Sequence, residues 1–459
     1  MSHWSGNPAP STNAGSPAEG RINKKHVLAW ASWDWGSAAI NAIMTTFVFT
    51  VYLVSDPFGG EDYASQILGY GLAVSGVAIA LLAPITGQRS DSGGRRRYWL
   101  GVNTMAVVAL TALCFFVYPS PGFLFVGVAL IALANIFFEF ANVNYYAMLG
   151  QISTPSTVGK VSGFGWAMGY VGGIVALALV LMGFVLPETG WFGATAENGL
   201  NIRLVAVFSA VWFLIFALPV LFTVPEIPRQ PKTARLGFFA SYGLLFRRIK
   251  AIYRTSPHTI FFLLASAIFR DGLAAVFTFG GVIAAGTFGF TLTEVIFFAI
   301  AGNVVAALGA VIGGILDDRV GPKKIIVGSL IGLIVAGAAV LVLGADTYSI
   351  FGATLTGDTT FWIFGLMLCL FVGPAQSSSR AYLARLAPRG EEGEFFGLYA
   401  TTGRAVSFLA PTLFGLSITI FGSQRFGILG ILIVLLAGLL ALLPVKEPRE
   451  VPTAQTPSA

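Results

Sequence analysis

Charged residues are scarce in this sequence. Of its 459 residues only 10% are Asp, Glu, Lys or Arg, whereas 56% are apolar, and the mean hydropathy is +0.79. A soluble domain carries roughly a quarter charged residues. A soluble fold of this length has no way to bury so much apolar surface. The repeated apolar stretches, each about 20 residues or longer, are therefore predicted to span a bilayer.

Cysteine and histidine are also rare. Cys114 and Cys369 lie in apolar stretches of different halves, which argues against a disulfide framework. The three histidines, His3, His26 and His258, lack the spacing of metal ligands, and no glycine-rich nucleotide loop occurs. No nucleophile, base and orienting group occur together. We therefore predict no metal site, no cofactor and no catalytic residue, and a protein that is not an enzyme.

The net charge of +6 does not indicate a nucleic-acid partner. The basic residues lie mostly in short loops between apolar stretches, which is the pattern of the positive-inside rule. Twelve predicted spans place both termini on one side, and the loops of that side hold nearly all of the Lys and Arg residues. We predict a multi-pass protein of the cell membrane with cytoplasmic termini, contacted by membrane lipids and not by nucleic acid.

The predicted fold class is an all-α polytopic membrane protein with twelve transmembrane helices in two pseudo-symmetric six-helix bundles. The predicted parts are a disordered cytoplasmic tail (1–26), the first half (27–224), a basic cytoplasmic linker (225–256), the second half (257–444) and a cytoplasmic tail (445–459). In the linker, apolar residues recur at helical spacing and predict an amphipathic helix on the inner leaflet. They are Phe238, Tyr242, Leu245, Ile249 and Ile252.

The two halves repeat one another in sequence. Gly87-x3-Asp91-x2-Gly94-x-Arg96-Arg97 recurs as Gly314-x3-Asp318-x2-Gly321-x-Lys323-Lys324, Gly159-x3-Gly163 as Gly393-x3-Gly397, and Gly36-x-Ala38-Ala39 as Gly272-x-Ala274-Ala275. Three matches in the same order and at similar offsets indicate a duplicated six-helix unit. In such a protein the substrate path runs between the halves.

Both copies of the first repeat combine glycine with aspartate. The glycines permit tight turns and close helix approach, and the aspartate can pair with an arginine or cap a neighbouring helix N-terminus. We predict a conformational latch, with an ordinary basic loop as the alternative. Its predicted members are Gly87, Asp91, Gly94, Arg96, Gly314, Asp318, Arg319 and Gly321. Arg404, in predicted helix 11 (394–420), is a further packing or latch residue.

The doubled loop resembles the signature loop of the major facilitator superfamily, Gly-x-Leu-x-Asp-Arg-x-Gly. Residues 314–321 match it closely, whereas the first copy has Arg89 at the Leu position and Ser92 at the Arg position. Further segments resemble the vacuole-effluxer-like family, which includes fungal autophagy-related amino-acid effluxers and bacterial members. They are Ala31-Ser32-Trp33-Asp34-Trp35, residues 161–167, Phe279-Gly280-Gly281-Val282, residues 284–289 and residues 394–399. The resemblance implies the major facilitator fold, with helices 1, 4, 7 and 10 around a central cavity.

Polar and ionisable side chains inside the spans are the candidate substrate or coupling residues, because charge within a bilayer is costly. They are Asp34, Glu139, Asn142, Arg270, Asp271 and Gln376. The repeat aligns Asp34 with Arg270. The two are predicted to face each other across the cavity, where they bind a zwitterion or form a gating ion pair; a structural salt bridge is the alternative. Glu139 is either a proton-coupling carboxylate or a neutral acid bonded to asparagines.

These observations favour transport of a small polar solute by alternating access, either facilitative or coupled to protons. Amino-acid efflux is the first expectation, and it comes from the family resemblance alone. A lipid or lipid-precursor flippase is the alternative within transport. A non-transporting membrane scaffold or sensor is the alternative of another class.

Overall fold

The computed structural model describes residues 22–227, 238–350 and 353–446. Most of the two predicted tails, and residues 228–237 of the linker, lie outside the described residues. Within the described part, twelve helical segments are long and apolar enough to cross a membrane. The prediction of an all-α protein with twelve spans is confirmed.

The first half supplies spans one to six. Its α-helices are α1 (Lys24–Ala39), α2 (Phe49–Leu53), α3 (Glu61–Gly93), α4 (Arg96–Leu113), α5 (Leu124–Ala147), α6 (Leu149–Ile152), α7 (Val158–Val180) and α8 (Leu200–Thr223). The first span is not a uniform α-helix, because a π-helical segment, Ile40–Phe47, separates α1 from α2. Such segments leave the regular hydrogen-bond ladder and are frequent at functional sites.

The linker helix and the second half follow. The helices are α9 (Phe238–Thr255), α10 (Pro257–Phe288), α11 (Leu292–Val320), α12 (Pro322–Leu343), α13 (Gly357–Leu386), α14 (Glu392–Val406), α15 (Leu409–Phe421) and α16 (Gly427–Leu442). Between α12 and α13 lies a short antiparallel hairpin that the sequence did not predict. Its strands are β1 (Tyr348–Ile350) and β2 (Ala353–Leu355).

Helix 11, predicted as one helix over 394–420, is broken in two. The first piece, α14, ends at Val406, and the second, α15, begins at Leu409. Pro411 has no N–H group and therefore cannot donate the hydrogen bond that would continue the helix across the break. The carboxylate of Asp271 accepts the N–H of Ala410 at 2.7 Å and so caps the start of α15.

The linker forms the predicted amphipathic helix, but its apolar stripe does not face lipid. Leu245 is buried, and Ile249 and Ile252 pack against the hydrophobic core of the second half. The apolar stripe therefore packs on protein, whereas the place of the helix on the inner leaflet stays a prediction. A helical apolar stripe can be buried by lipid or by neighbouring helices, and its periodicity does not distinguish the two.

Candidate functional site

The two halves meet closely where α3 passes α14 and where α7 passes α11. A Cβ atom at Gly87 would lie 1.9 Å from the carbonyl oxygen of Gly393. A Cβ atom at Gly314 would lie 2.5 Å from the carbonyl oxygen of Gly159. Only glycine permits such an approach of two backbones. The glycines of the sequence repeat therefore sit at equivalent helix crossings that join one half to the other.

The first of two polar clusters between the halves, called the first latch after its predicted role, is formed by Asp91, Arg96, Glu392 and Glu394. The carboxylate of Asp91 accepts the backbone N–H of Glu394 at 3.0 Å, near the start of α14. Arg96, only 1% exposed, places Nη2 2.6 Å from Asp91 Oδ1 and 2.5 Å from Glu392 Oε2. The last of these contacts is an ion pair between the halves. Arg248 of the linker helix adds a further ion pair, at 3.0 Å, to Glu394.

The second latch is formed by Asp317, Asp318 and Arg385, around the start of α7. Asp318 accepts the backbone N–H groups of Gly159 and Lys160 at 2.8 and 2.9 Å. Arg385 lies 3.0 Å from Asp318 and 2.5 Å from Asp317. Each latch therefore sets an aspartate of one half against the N-terminus of a helix of the other half, where the helix dipole favours negative charge.

The remaining predicted latch residues take different positions. Gly94 and Gly321 have φ angles of +62° and +93°, a region that favours glycine, and each ends a helix of its half. Arg319 is exposed, and the cation beside Asp318 is Arg385 instead. That the residues of the two clusters act as a conformational latch stays a prediction.

Asp34 does not pair with Arg270. Its carboxylate lies 3.4 Å from Nη1 of Arg380, which belongs to α13 of the opposite half. Arg380 also donates from Nε to Ser162 Oγ at 3.0 Å and from Nη2 to Ser162 O at 2.6 Å. Of the alternatives that the sequence left open for Asp34 and Arg270, a direct ion pair is not formed in this structure, because Arg380 lies beside Asp34; their role in binding a zwitterion stays a prediction.

Arg380 is surrounded by aromatic rings and was missed by the sequence analysis. Its guanidinium lies 5.0, 5.1 and 5.5 Å from the ring centroids of Trp30, Tyr146 and Trp166. Aromatic faces attract a guanidinium and replace part of the hydration that it loses on burial. The signal in the sequence was a cation inside an apolar span, four residues after Gln376. It is the same signal that singled out Arg270.

A second ion pair crosses between the halves near the middle of the spans. Arg404 of α14 lies 3.4 Å from Glu139 of α5, and its Nη2 atom is 3.5 Å from Asn135 Oδ1. The two charged side chains are 34% and 20% exposed, so the protein does not bury either of them fully. Arg404 is therefore a link between the halves within the spans and not a member of either latch.

Arg270 is a half-buried arginine without a carboxylate partner. Its Nη2 atom donates to the carbonyl oxygen of Tyr399 at 2.6 Å, its Nε atom donates to Ser266 O at 3.2 Å, and the guanidinium lies 3.3 Å from the centroid of the Tyr399 ring. No Asp or Glu of the described residues forms an ion pair with it. The neighbouring Asp271 caps α15 instead. Hydrogen-bond donors on Arg270 thus remain for a ligand.

Two polar candidates complete the set. The hydroxyl of Tyr170 donates to Gln376 Oε1 at 2.7 Å and so joins α7 to α13 across the halves. Asn142 is buried within α5. No group of three or more His, Cys, Asp or Glu side chains in the described part of the chain is placed to hold a metal ion.

A family model described as "Vacuole effluxer Atg22 like" matches residues 153–455. The chain belongs to this family. An "Uncharacterized MFS-type transporter YxiO" of Bacillus subtilis (strain 168) is 27% identical over 446 residues, which cover 94% of this chain and 97% of the relative. Autophagy-related protein 22 of Kluyveromyces lactis is 26% identical over 277 residues, and the match covers 58% of this chain and 54% of the relative.

Solved structures of major facilitator transporters share the fold of this Atg22-like protein. The transporter FucP in its outward conformation matches with a TM-score of 0.66 at 14% identity, over 92% of this chain and 98% of that one. The proton:xylose symporter XylE matches with a TM-score of 0.67 at 13% identity, over 92% and 93%. By family and by fold, the chain is a multi-pass transporter of the major facilitator type.

Proposed function

We propose that this Atg22-like protein moves a small solute bearing a carboxylate, most simply a zwitterionic amino acid, across the cell membrane by alternating access. The direction is efflux, and both termini lie in the cytoplasm. The family description, which names a vacuole effluxer, supports the direction. Amino acids as the solute come from the family resemblance of the sequence segments. The loop charge pattern supports the orientation.

The proposed substrate class rests on Arg270, which lies inside a span and forms no ion pair with a described Asp or Glu. A guanidinium inside a membrane span without a counter-charge is costly, and such residues mark substrate or ion pathways. The planar guanidinium can bind a carboxylate through two parallel hydrogen bonds. Its stacking on Tyr399 holds it in place without using all of its donors.

The charged side chains that meet between the halves within the spans differ in sign from one half to the other. The first half contributes Asp34 and Glu139, and the second contributes Arg270, Arg380 and Arg404. A zwitterion would place its ammonium group toward the first half and its carboxylate toward the second. Both ion pairs join one half to the other, so they must part when the halves rock. Glu139 is the more exposed acid and is our proposed proton-coupling group.

The proposal is tested with purified protein in detergent and in proteoliposomes. Amino acids, sugars, nucleosides and lipid precursors are screened for a rise in Tm, because a ligand stabilises the state that it binds. We expect amino acids to raise the Tm. Arg270→Gln should weaken binding of the best ligand by about tenfold or more, which is the contribution of a charge-assisted hydrogen bond. Arg270→Lys should retain only part of the wild-type affinity.

The matched control is Arg389→Gln, which removes an exposed arginine at the start of helix 11. It should bind and transport like the wild type. Stabilisation by lipid precursors but not by amino acids would favour a flippase. Equal affinity of Arg270→Gln and the wild type for the carboxylate ligand would refute the assignment of Arg270.

A further inference from the structure

The linker helix α9 is held by both halves of the transporter. From its inner face, the Tyr242 hydroxyl donates to the carbonyl oxygen of Leu81 in α3 at 2.7 Å. One and a half turns later, Arg248 forms ion pairs at 3.0 Å with Glu391 and Glu394 at the start of α14. The helix therefore lies across the seam that the first latch closes.

The outer face of α9 is basic and aromatic. Arg247, Lys250 and Arg254 are exposed, and Phe246 and Tyr253 are 68% and 55% exposed. Their spacing places them on one side of the helix, beside the stripe that packs on the core. None of the three cations forms an ion pair with a described residue, and no acidic residue occurs between Phe238 and Thr255.

This outer face lies next to the cytoplasmic end of a membrane-spanning helix. Helix α9 ends at Thr255, and the membrane-spanning α10 begins at Pro257, so a single residue separates them. The short connection keeps the last turn of α9 near the membrane surface. A helix there with exposed cations and aromatic rings matches the charge of anionic headgroups and the polarity of the interface.

We propose that the outer face of α9, formed by Phe246, Arg247, Lys250, Tyr253 and Arg254, is a binding surface for anionic phospholipid headgroups. A bound headgroup holds α9 against the seam and thereby keeps Arg248 on Glu391 and Glu394. Anionic lipid then stabilises the state that is closed at the first latch. This inference does not depend on which solute the protein transports.

The first measurement is lipid binding. The full chain in detergent micelles is titrated with phosphatidylglycerol, and bound lipid is counted by native mass spectrometry, with phosphatidylcholine as the neutral comparison. The triple variant Arg247→Gln, Lys250→Gln, Arg254→Gln should lose at least roughly tenfold in affinity for phosphatidylglycerol, since each cation near an anionic surface contributes about fivefold. The control triple variant Lys24→Gln, Lys25→Gln, Arg389→Gln removes the same charge from exposed positions and should keep its affinity.

The second measurement separates lipid binding from its effect on the seam. In nanodiscs, hydrogen exchange at the start of α14 should slow when phosphatidylglycerol replaces part of the phosphatidylcholine. Arg248→Gln should still bind the lipid, because its outer face is intact, but should lose the slowing. The triple variant should lose both. Loss of the slowing with retained binding identifies Arg248 as the link between headgroup and seam.

Three results would overturn the proposal. The triple variant could bind phosphatidylglycerol as well as the control triple does. Phosphatidylglycerol could bind to α9 without any change in exchange at α14. Soluble polyglutamate in neutral nanodiscs could slow exchange as strongly as the anionic lipid does, which would assign the surface to an acidic soluble partner.

Discussion

The two latches share a backbone arrangement but differ in whether the ion pairs of their arginine cross between the halves. In both, an aspartate at the end of a helix accepts N–H groups at the start of a helix of the other half. In the first latch, Arg96 reaches across to Glu392 at 2.5 Å, so the ion pair itself joins the halves. In the second latch, the ion pairs of Arg385 go to aspartates of its own half, and it reaches the other half only through a neutral acceptor, the carbonyl oxygen of Pro155, at 3.3 Å.

This difference shows that similarity to a sequence signature does not measure the strength of a contact. The second copy of the loop matches the superfamily signature closely, and the first copy departs from it at Arg89 and Ser92. Yet the first copy has the buried ion pair between the halves, and the linker helix reinforces it through Arg248. The added groups come from segments far from the loop in sequence.

The largest difference between the latches is expected from removing their arginines. Arg96→Gln leaves Asp91 and Glu392 buried and adjacent without a cation, which costs about 3–5 kcal/mol in the closed state. Arg385→Gln also leaves two buried carboxylates, Asp317 and Asp318, without their cation. Both belong to the same half, and Asp318 keeps its two backbone N–H bonds to α7, so the contact between the halves should loosen less. Hydrogen exchange at the first turns of α14 and α7 measures the two effects separately.

We expect Arg96→Gln to speed exchange at α14 by about 100-fold or more, from the same energy. Arg385→Gln should speed exchange at α7 by a smaller factor. Arg389→Gln, an exposed arginine of the same region, controls for the loss of charge and should leave both helices protected. Equal acceleration by the two latch variants would show that the ion pair between the halves contributes nothing of its own.

The sequence predicted what depends on local pattern and missed what depends on the meeting of distant segments. Twelve spans, the duplication and the glycine crossings follow from hydropathy and from a repeat that is visible in the chain. The sequence left the partner of Asp34 open, because aligning it with Arg270 indicates the depth of both side chains but not their partners. Arg380 becomes its partner only when α13 packs against α7 and brings Ser162 to the same guanidinium.

The break in helix 11 was missed for a similar reason. Pro411 is visible in the sequence, but a proline inside a membrane span is often tolerated when neighbouring groups satisfy the freed backbone. Here the carboxylate of Asp271 supplies that partner from another helix. The same contact gives the Asp271 carboxylate a structural partner in α15, while its assignment to the substrate site stays a prediction.

An effect of intermediate size is expected when a methyl group is added at Gly87, where α3 crosses α14. Gly87→Ala would bring Cβ to 1.9 Å from the carbonyl oxygen of Gly393, so the helices must move apart. Overpacking of this kind costs about 1–3 kcal/mol. Gly93→Ala, in the same helix, meets no atom within 4 Å and is the matched control. Transport and exchange at α14 should change in Gly87→Ala and not in Gly93→Ala; a change of the same size in both would mean that the crossing is not a tight contact.

The smallest effect, and the finest test of the comparison, comes from neutralising the aspartates. Asp91→Asn and Asp318→Asn keep an oxygen that can accept the N–H groups of the opposing helix, but they remove its negative charge. The interaction of that charge with a helix N-terminus is worth about 0.3–1 kcal/mol.

Asp318 faces two N–H groups, whereas Asp91 faces one and shares Arg96 with Glu392. Exchange at α7 in Asp318→Asn should therefore rise more than exchange at α14 in Asp91→Asn, the reverse of the order expected for the arginines. If the same latch showed the larger rise in exchange for both the arginine and the aspartate variants, that latch would simply be the more sensitive one. The assignment of the first latch to its ion pair and of the second to the helix dipole would then be wrong.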